Sequence, residues 1–337
     1  NLKKTLYWKN FIKYIFKPIF DILWKNLINF HGRILYLIYF SLKKDREHLT
    51  MNGNDKKLIC HPKIVNLASR IKNYFSEEDI LNLKKKLVTN LSKDQNKANS
   101  EENRYKVSLL ENLDIDLKKE ILNFGMSELM VSTAAKYLKV FPILGKVALY
   151  LNIPTPENNK ARGAMLWHKD DFGYKSLDLF VIITDVDETN GPLFSIDKKV
   201  DLGVFQRISQ EKKNPIKGER GKIEDKTFSQ FFTENNVIEL SGKTGNALLI
   251  DSFTAYHKGG HCLKNHRIML RYSYQTADAI RLPENKNNEF YYFKDLKKKE
   301  VKNIFNNFLL FKRSLILKIL KIDVILLKIY RIIGYRL

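Results

Sequence analysis

The segment Trp167-His168-Lys169-Asp170-Asp171 sets an imidazole and a carboxylate two residues apart. On an extended strand, positions i and i+2 face the same way, so His168 and Asp170 can offer two donors to one ion while Asp171 points to the opposite face. Alone the pattern is weak, because a chain with seven histidines meets it readily by chance. A hydrogen-bonded His–Asp pair inside a core accounts for those two residues by themselves. A second stretch shifts the balance. Gly242-Lys243-Thr244-Gly245-Asn246 reads as a turn and Ala247 to Ile250 as a buried strand, and Asp251 to Tyr256 leads into His257, which meets Gly259-Gly260. A histidine leaving a buried strand there is placed to reach into a barrel mouth. Two histidines and one aspartate make a facial triad that leaves positions open on non-haem iron(II). His261 and His266 are the rival distal ligands.

A third stretch, His266-Arg267-Ile268-Met269-Leu270-Arg271-Tyr272-Ser273-Tyr274, opens with Arg267, ten residues after His257. A guanidinium inside a barrel needs an anionic partner. A dicarboxylic co-substrate would supply one through a bidentate pair. Arg271 shares the strand face of Arg267 and competes for the role. Tyr150, Asn152, Ser273 and Trp167 are further candidates to line the pocket, with plain packing as their alternative. Asp185 and Asp187 read as turn-formers.

The elements that must hold these side chains come in two kinds. Residues 62–140 read as several helices, with Ser76-Glu77-Glu78-Asp79 as a helix start, a polar loop over 91–104, and a helix over 126–139. From residue 146 the period changes. Val147–Ile153, Ala164–His168, Leu177–Thr184, Pro192–Ile196, Val237–Leu240, Ala247–Ile250 and Ile268–Gln275 are short β-favouring runs separated by Gly, Asn, Asp and Pro. The fold expected is α+β, an antiparallel double-stranded β-helix (a jelly-roll or cupin-like barrel) with flanking helices and helical extensions at both ends. Four parts are expected: a basic amphipathic helical extension over 1–50, a helical region over 51–140, a jelly-roll core over 141–285, and a second basic amphipathic extension over 286–337. Residues 197–235 form a lid-like insertion in the core, and 45–60 read as a linker.

His168-x-Asp170, then His257, then Arg267, on strands in that order, resembles the iron(II)- and 2-oxoglutarate-dependent dioxygenases of the phytanoyl-CoA dioxygenase type. The run Leu177 to Leu193, an apolar strand followed by Asp185-Val186-Asp187 and Gly191-Pro192-Leu193, is similar to that family's text, as is Asn246 to His257. The likeness covers about residues 145–276. The chain departs after Gly-Pro-Leu, where Phe194-Ser195-Ile196-Asp197 replaces the family's Pro-Gly-Ser-His-like loop. The resemblance implies Fe(II), O2 and 2-oxoglutarate, with 2-oxoglutarate chelating the metal and its far carboxylate on Arg267. It implies release of succinate and CO2 and hydroxylation of a small-molecule or carrier-, lipid- or saccharide-linked substrate. A carboxylate at position 170 favours hydroxylation over halogenation, since no ligand site is vacated for a halide.

Composition bounds the alternatives. The 337 residues are 44% hydrophobic and 28% charged, which is globular. A net charge of +22 first suggests nucleic acid, but residues 1–50 carry ten Lys/Arg against three Asp/Glu and residues 301–337 eight against one. Basicity at two ends rich in Ile, Leu, Phe and Tyr suits a membrane surface better than a phosphate-tracking groove. Peripheral membrane contact, self-association and a solvated helix face all remain open for these ends, and no nucleic-acid partner is expected. Cys60 and Cys262 are too few for a disulfide framework and read as small core residues in a reduced, cytoplasmic setting. No transmembrane span or signal peptide is expected. Two other functions compete with the oxygenase: a zinc hydrolase on a similar barrel, which leaves Arg267 unexplained, and a non-catalytic, membrane-peripheral binding protein.

Overall fold

The computed structural model describes residues 29–49, 58–93, 106–154, 161, 163–170, 175–196, 223–229 and 236–276. The helices are α1 (Phe30–Leu42), α2 (Pro62–Tyr74), α3 (Glu77–Lys93), α4 (Ile115–Gly125), α5 (Glu128–Leu138) and the short α6 (Asp225–Phe228). The strands are β1 (Ile59–Cys60), β2 (Lys106–Ser108), β3 (Ile143–Asn152), β4 (Ser176–Ile182), β5 (Leu193–Ile196), β6 (Val237–Leu240), β7 (Asn246–Ile250), β8 (His257–Gly259) and β9 (Arg267–Gln275). They form a six-stranded sheet, ordered β1-β7-β4-β9-β3-β2, and a three-stranded sheet, β6-β5-β8. Every pairing is antiparallel.

Alternation along the long central strands separates two jobs. Leu149, Leu151, Leu177, Leu179, Leu270, Tyr272 and Tyr274 point to one face and join the main core with α2, α4 and α5. Two phenols fasten sheet to helix there: Tyr272 donates to the Ile121 carbonyl at 2.8 Å and Tyr274 to the Gly125 carbonyl at 2.6 Å. Gly125 must lack a side chain, because a Cβ would lie 2.7 Å from the Tyr272 ring. The opposite face carries Phe180, Ile182, Leu248, Ile250 and Met269, which pack against Leu193 and Leu240 of the small sheet. Covered on both faces, β4 is buried at every position.

The helices start where polar side chains replace missing backbone partners. Asp114 accepts from the amides of Asp116 and Leu117 at the start of α4. Ser127 accepts from Met130 at the start of α5, which ends where Lys139 turns left-handed at φ 59°.

Several expectations change. Part of the 45–60 linker is packed: Leu49 is buried with its amide on the Thr133 hydroxyl at 2.8 Å, Arg46 bonds Glu128 at 2.9 Å, and Ile59–Cys60 is an edge strand on β7. Residues 29–49 of the N-terminal extension likewise join the core, through Leu35 and Tyr39 and through Phe141 donating its amide to the Gly32 carbonyl at 2.8 Å. Cys262 is buried as expected, but Cys60 is exposed because it sits on the edge strand. Ala164–His168 is not a strand: a 3-10 turn over Gly163–Met165 precedes two isolated bridges, Trp167 to Ile223 and His168 to His257. Each residue pairs with a different segment, so no ladder builds. Residues 1–28, 197–222 and 277–337, which hold most of the basic extensions and of the insertion, lie outside the described residues. Among the described residues no helix is long and apolar enough to cross a membrane.

Candidate metal centre

His168 and His257 face each other across a two-way backbone bridge, His168 N to His257 O at 3.0 Å and the reverse at 2.9 Å. Two residues on, the Asp170 amide donates to the Ser252 carbonyl at 2.8 Å. Asp170 therefore comes in beside the two rings, whose centroids are 4.4 Å apart. His168 Nδ1 lies 2.7 Å from the Leu166 carbonyl, and His257 Nδ1 lies 3.2 Å from the Ala255 carbonyl. A carbonyl only accepts, so in each ring Nδ1 carries the proton and Nε2 presents a lone pair. Those two lone pairs lie 3.8 Å and 4.0 Å from the carboxylate oxygens of Asp170. All three donors fall within 4.8 Å of one another.

This donor set fits a divalent ion of the iron or zinc class. Ligands about 2.1 Å from such an ion and at right angles to each other sit about 3 Å apart, so the donors need draw in only by roughly an ångström. Protonation states agree with ligation. Burial, then the neighbouring His257, pushes the His168 imidazole down to about 4, so it is neutral near pH 7. Burial raises the Asp170 carboxylate, but the Arg271 guanidinium, His257 and His168 together outweigh it and hold the group below the usual carboxylate range.

Arg271 is fixed in turn. Its Nη2 bonds Asp170 Oδ2, and its Nε and Nη2 grip Asp178 at 3.2 and 2.9 Å. Asp178 is 0% exposed, the one charge in an otherwise apolar strand except for Ser176. Antiparallel register brings these groups together: Phe180 opposes Arg271 and Asp178 opposes Ser273.

A cavity partly open to solvent adjoins the triad. His168, His257, Arg271, Arg267, Asn152 and Tyr150 line it, with Phe180, Met269, Met165 and Leu193 as apolar walls. Arg267 opposes Asn152 in register and is only 4% exposed. Its guanidinium passes beside Gly259, where a Cβ would lie 3.3 Å from Nη2. Ser273 shares the strand face one step beyond Arg271, and its buried Oγ has no hydrogen-bond partner among the described residues. Trp167 turns away from the cavity, because the alternation that points His168 inward sends its neighbour outward. Its ring stacks on Phe228 at 4.8 Å and its Nε1 donates to Asp225 at 2.7 Å. His266 meets Lys84 at 3.2 Å, away from the triad.

Three contributors were not singled out from the sequence. Asp178 announces itself only as a carboxylate inside an apolar strand, which is costly unless a cation meets it. Tyr137 of α5 donates to Asp251, whose other oxygen accepts from the Phe253 and Thr254 amides at 3.2 Å each. That turn aims the chain into His257. Lys106, on the edge strand β2, reaches the cavity rim.

No family model matches the chain, and no curated protein matches it. Solved structures similar to it include AviO1 from Streptomyces viridochromogenes Tue57, at 15% identity and TM-score 0.37 over 67% of this chain and 90% of that one. EctD from S. alaskensis, solved with 2-oxoglutarate and 5-hydroxyectoine, matches at 16% identity and TM-score 0.36 over 62% and 71%. The non-heme alpha-ketoglutarate-dependent epimerase SnoN of nogalamycin biosynthesis matches at 14% identity and TM-score 0.33 over 51% and 62%. Likeness at this level assigns no activity to the chain.

Proposed function

We propose that the chain is an Fe(II)- and 2-oxoglutarate-dependent oxygenase, with His168, Asp170 and His257 as metal ligands and Arg267 as the anchor for the far carboxylate of 2-oxoglutarate. The observation that carries this is the convergence of three donors within 4.8 Å, both imidazoles offering Nε2, beside a cavity that also holds a buried arginine. With 2-oxoglutarate chelated, iron(II) supplies oxygen activation coupled to decarboxylation to succinate and CO2, which oxidises a C–H bond of the prime substrate. The chain's own residues do the rest. The backbone carbonyls of Leu166 and Ala255 hold the imidazole protons on Nδ1. Asp170 gives the anionic ligand, and Arg271 orients it. Arg267 is favoured over Arg271 as anchor because Arg271 is already committed to Asp170 and Asp178. Phe180, Met269 and Leu193 keep that part of the cavity apolar. A carboxylate at position 170 leaves no ligand site for a halide, so hydroxylation is the reaction favoured. The two facing sheets are read as a double-stranded β-helix, and the terminal basic segments as separate extensions.

Zinc would accept the same ligands, but a hydrolase gives Arg267 no task, and among the described residues no carboxylate or imidazole outside the triad lines the cavity as a general base. The test is turnover. Purified protein with iron(II) and ascorbate should convert 2-oxoglutarate to succinate, and His168→Ala should abolish the conversion. Metal-loaded protein that fails to bind 2-oxoglutarate by calorimetry would overturn the reading.

A further inference from the structure

Counting charge around the cavity leaves two cations over. Under the oxygenase reading, on which this inference rests, the divalent metal and Arg267 and Arg271 bring four positive charges. Asp170, Asp178 and dianionic 2-oxoglutarate bring four negative ones, and both histidines are neutral. Lys106 and Lys146 stand outside that balance. Lys106 Nζ lies 4.4 Å from the centre of the Tyr150 ring and Lys146 Nζ 5.6 Å from it. Neither lysine has an ion-pair partner among the described residues, and Tyr150 and Lys106 both line the cavity.

We infer that the prime substrate carries a compact anionic group, a carboxylate or a phosphate, which docks between Lys106 and Lys146 over Tyr150. Two half-buried ammonium groups beside one phenol, on adjacent strands β2 and β3, cost desolvation and mutual repulsion. Both penalties are relieved by an arriving anion. The titration behaviour of the cluster is consistent. Burial, with Lys146 and Arg271 adding to it, holds Lys106 below its ordinary range. Burial alone would raise the Tyr150 phenol, but Lys146 and Lys106 bring it below its usual value. The cluster thus behaves as a site short of negative charge. Lys106 and Arg267 both oppose Asn152, on the strands either side of β3, so an anion held by the lysines enters on the same sheet face as the co-substrate arginine and the rest of the molecule is left to face the cavity. Cation selection at the rim also bars a second 2-oxoglutarate least well, so discrimination must come from the length and shape of the group that follows the anion.

The test is calorimetric titration of the full chain, zinc-loaded to prevent turnover and saturated with 2-oxoglutarate. The probes are phenyl phosphate, benzoate and, as the neutral control, benzyl alcohol. Phenyl phosphate and benzoate separate phosphate from carboxylate recognition. At least one anion should bind and the alcohol should not. In Lys106→Met/Lys146→Met the anion should bind about tenfold to a hundredfold more weakly, as expected for losing charge-assisted contacts. Lys106→Arg should restore part of the affinity, which a misfolded protein would not do. Absence of binding by both anions, or equal binding by the double variant, overturns the inference. So does a fall in 2-oxoglutarate affinity with the double variant, because the lysines would then serve the co-substrate. If the zinc-loaded chain takes up no 2-oxoglutarate, the oxygenase reading fails separately. Lysine-dependent binding of phenyl phosphate is then read on the metal-free chain.

Discussion

Asp170 sits between a guanidinium and two imidazoles, and each makes a different demand on it. One oxygen must reach the metal while the other stays on Arg271, whose own position depends on the fully buried Asp178. Arg271→Met leaves Asp178 uncompensated and should cost about 3–5 kcal/mol in a denaturant titration. Adding Asp178→Leu removes the second buried charge and should recover most of that stability. Metal affinity should stay about tenfold to a hundredfold low in both variants, because the ligand has lost its support. Recovery of metal affinity along with stability would mean that Arg271 is structural only. His168 gives a pH signature. Its folded-state value of about 4 lies below the unfolded value of about 6.5. Between these the unfolded chain binds more protons, so the metal-free protein should lose stability as pH falls from about 6.5 to about 4. Melting temperatures across that range should show the slope, and His168→Gln should flatten it. The three donors were legible in the sequence because His-x-Asp and the histidine before Gly-Gly are local patterns. The division of labour between Arg267 and Arg271 was not, because both point to one face and only strand register shows that Asp178 claims the second.

His257 is carried by β8, a strand of three residues, and such a strand holds its place only through its neighbours. One neighbour is the Gly191-Pro192 turn. The Gly260 amide donates to the Pro192 carbonyl at 2.6 Å. A Cβ on Gly260 would lie 2.5 Å from that same oxygen, and one on Gly191, at φ 69°, would lie 2.5 Å from the Gly260 carbonyl carbon. Gly260→Ala should therefore push β8 off β5, costing about 1–3 kcal/mol and weakening metal binding. Gly32→Ala is the contrast: its Cβ would meet Val140 at 3.5 Å, an ordinary contact within a helix. It should be neutral or stabilising by up to about 1 kcal/mol. Urea midpoints and zinc affinities of the two variants check this, and equal behaviour would show that the backbone crossing does not position His257. The alternating strands β3 and β9 were legible because each face has a separate partner. The Gly191–Gly260 contact was not, since nothing local marks which turns meet. The same limit explains Trp167-His168, whose composition suits a strand but whose two residues pair with separate segments.

Across the whole molecule, the triad and the groups that brace it come from three parts of the fold. His257 belongs to the small sheet, Arg271 and Asp178 to the large one, and His168 and Asp170 to a segment outside both. An ion held there ties the three together in the folded state alone. Binding at a hundred times the dissociation constant then adds about 2.7 kcal/mol of stability. For a chain with roughly 150–250 residues in its folded core this corresponds to about 5–10 °C in the melting temperature. Anaerobic iron(II) should produce such a rise, and 2-oxoglutarate should add to it only when the metal is present, because the co-substrate is bound through the ion as well as through Arg267. His168→Ala should lose both increments together. The large positive charge gathered in residues 1–50 and 301–337 should not enter this response, so raising the salt concentration should leave the metal-dependent shift standing while it screens surface charge. A 2-oxoglutarate shift of equal size without metal would separate the arginine from the triad and undo the link between them.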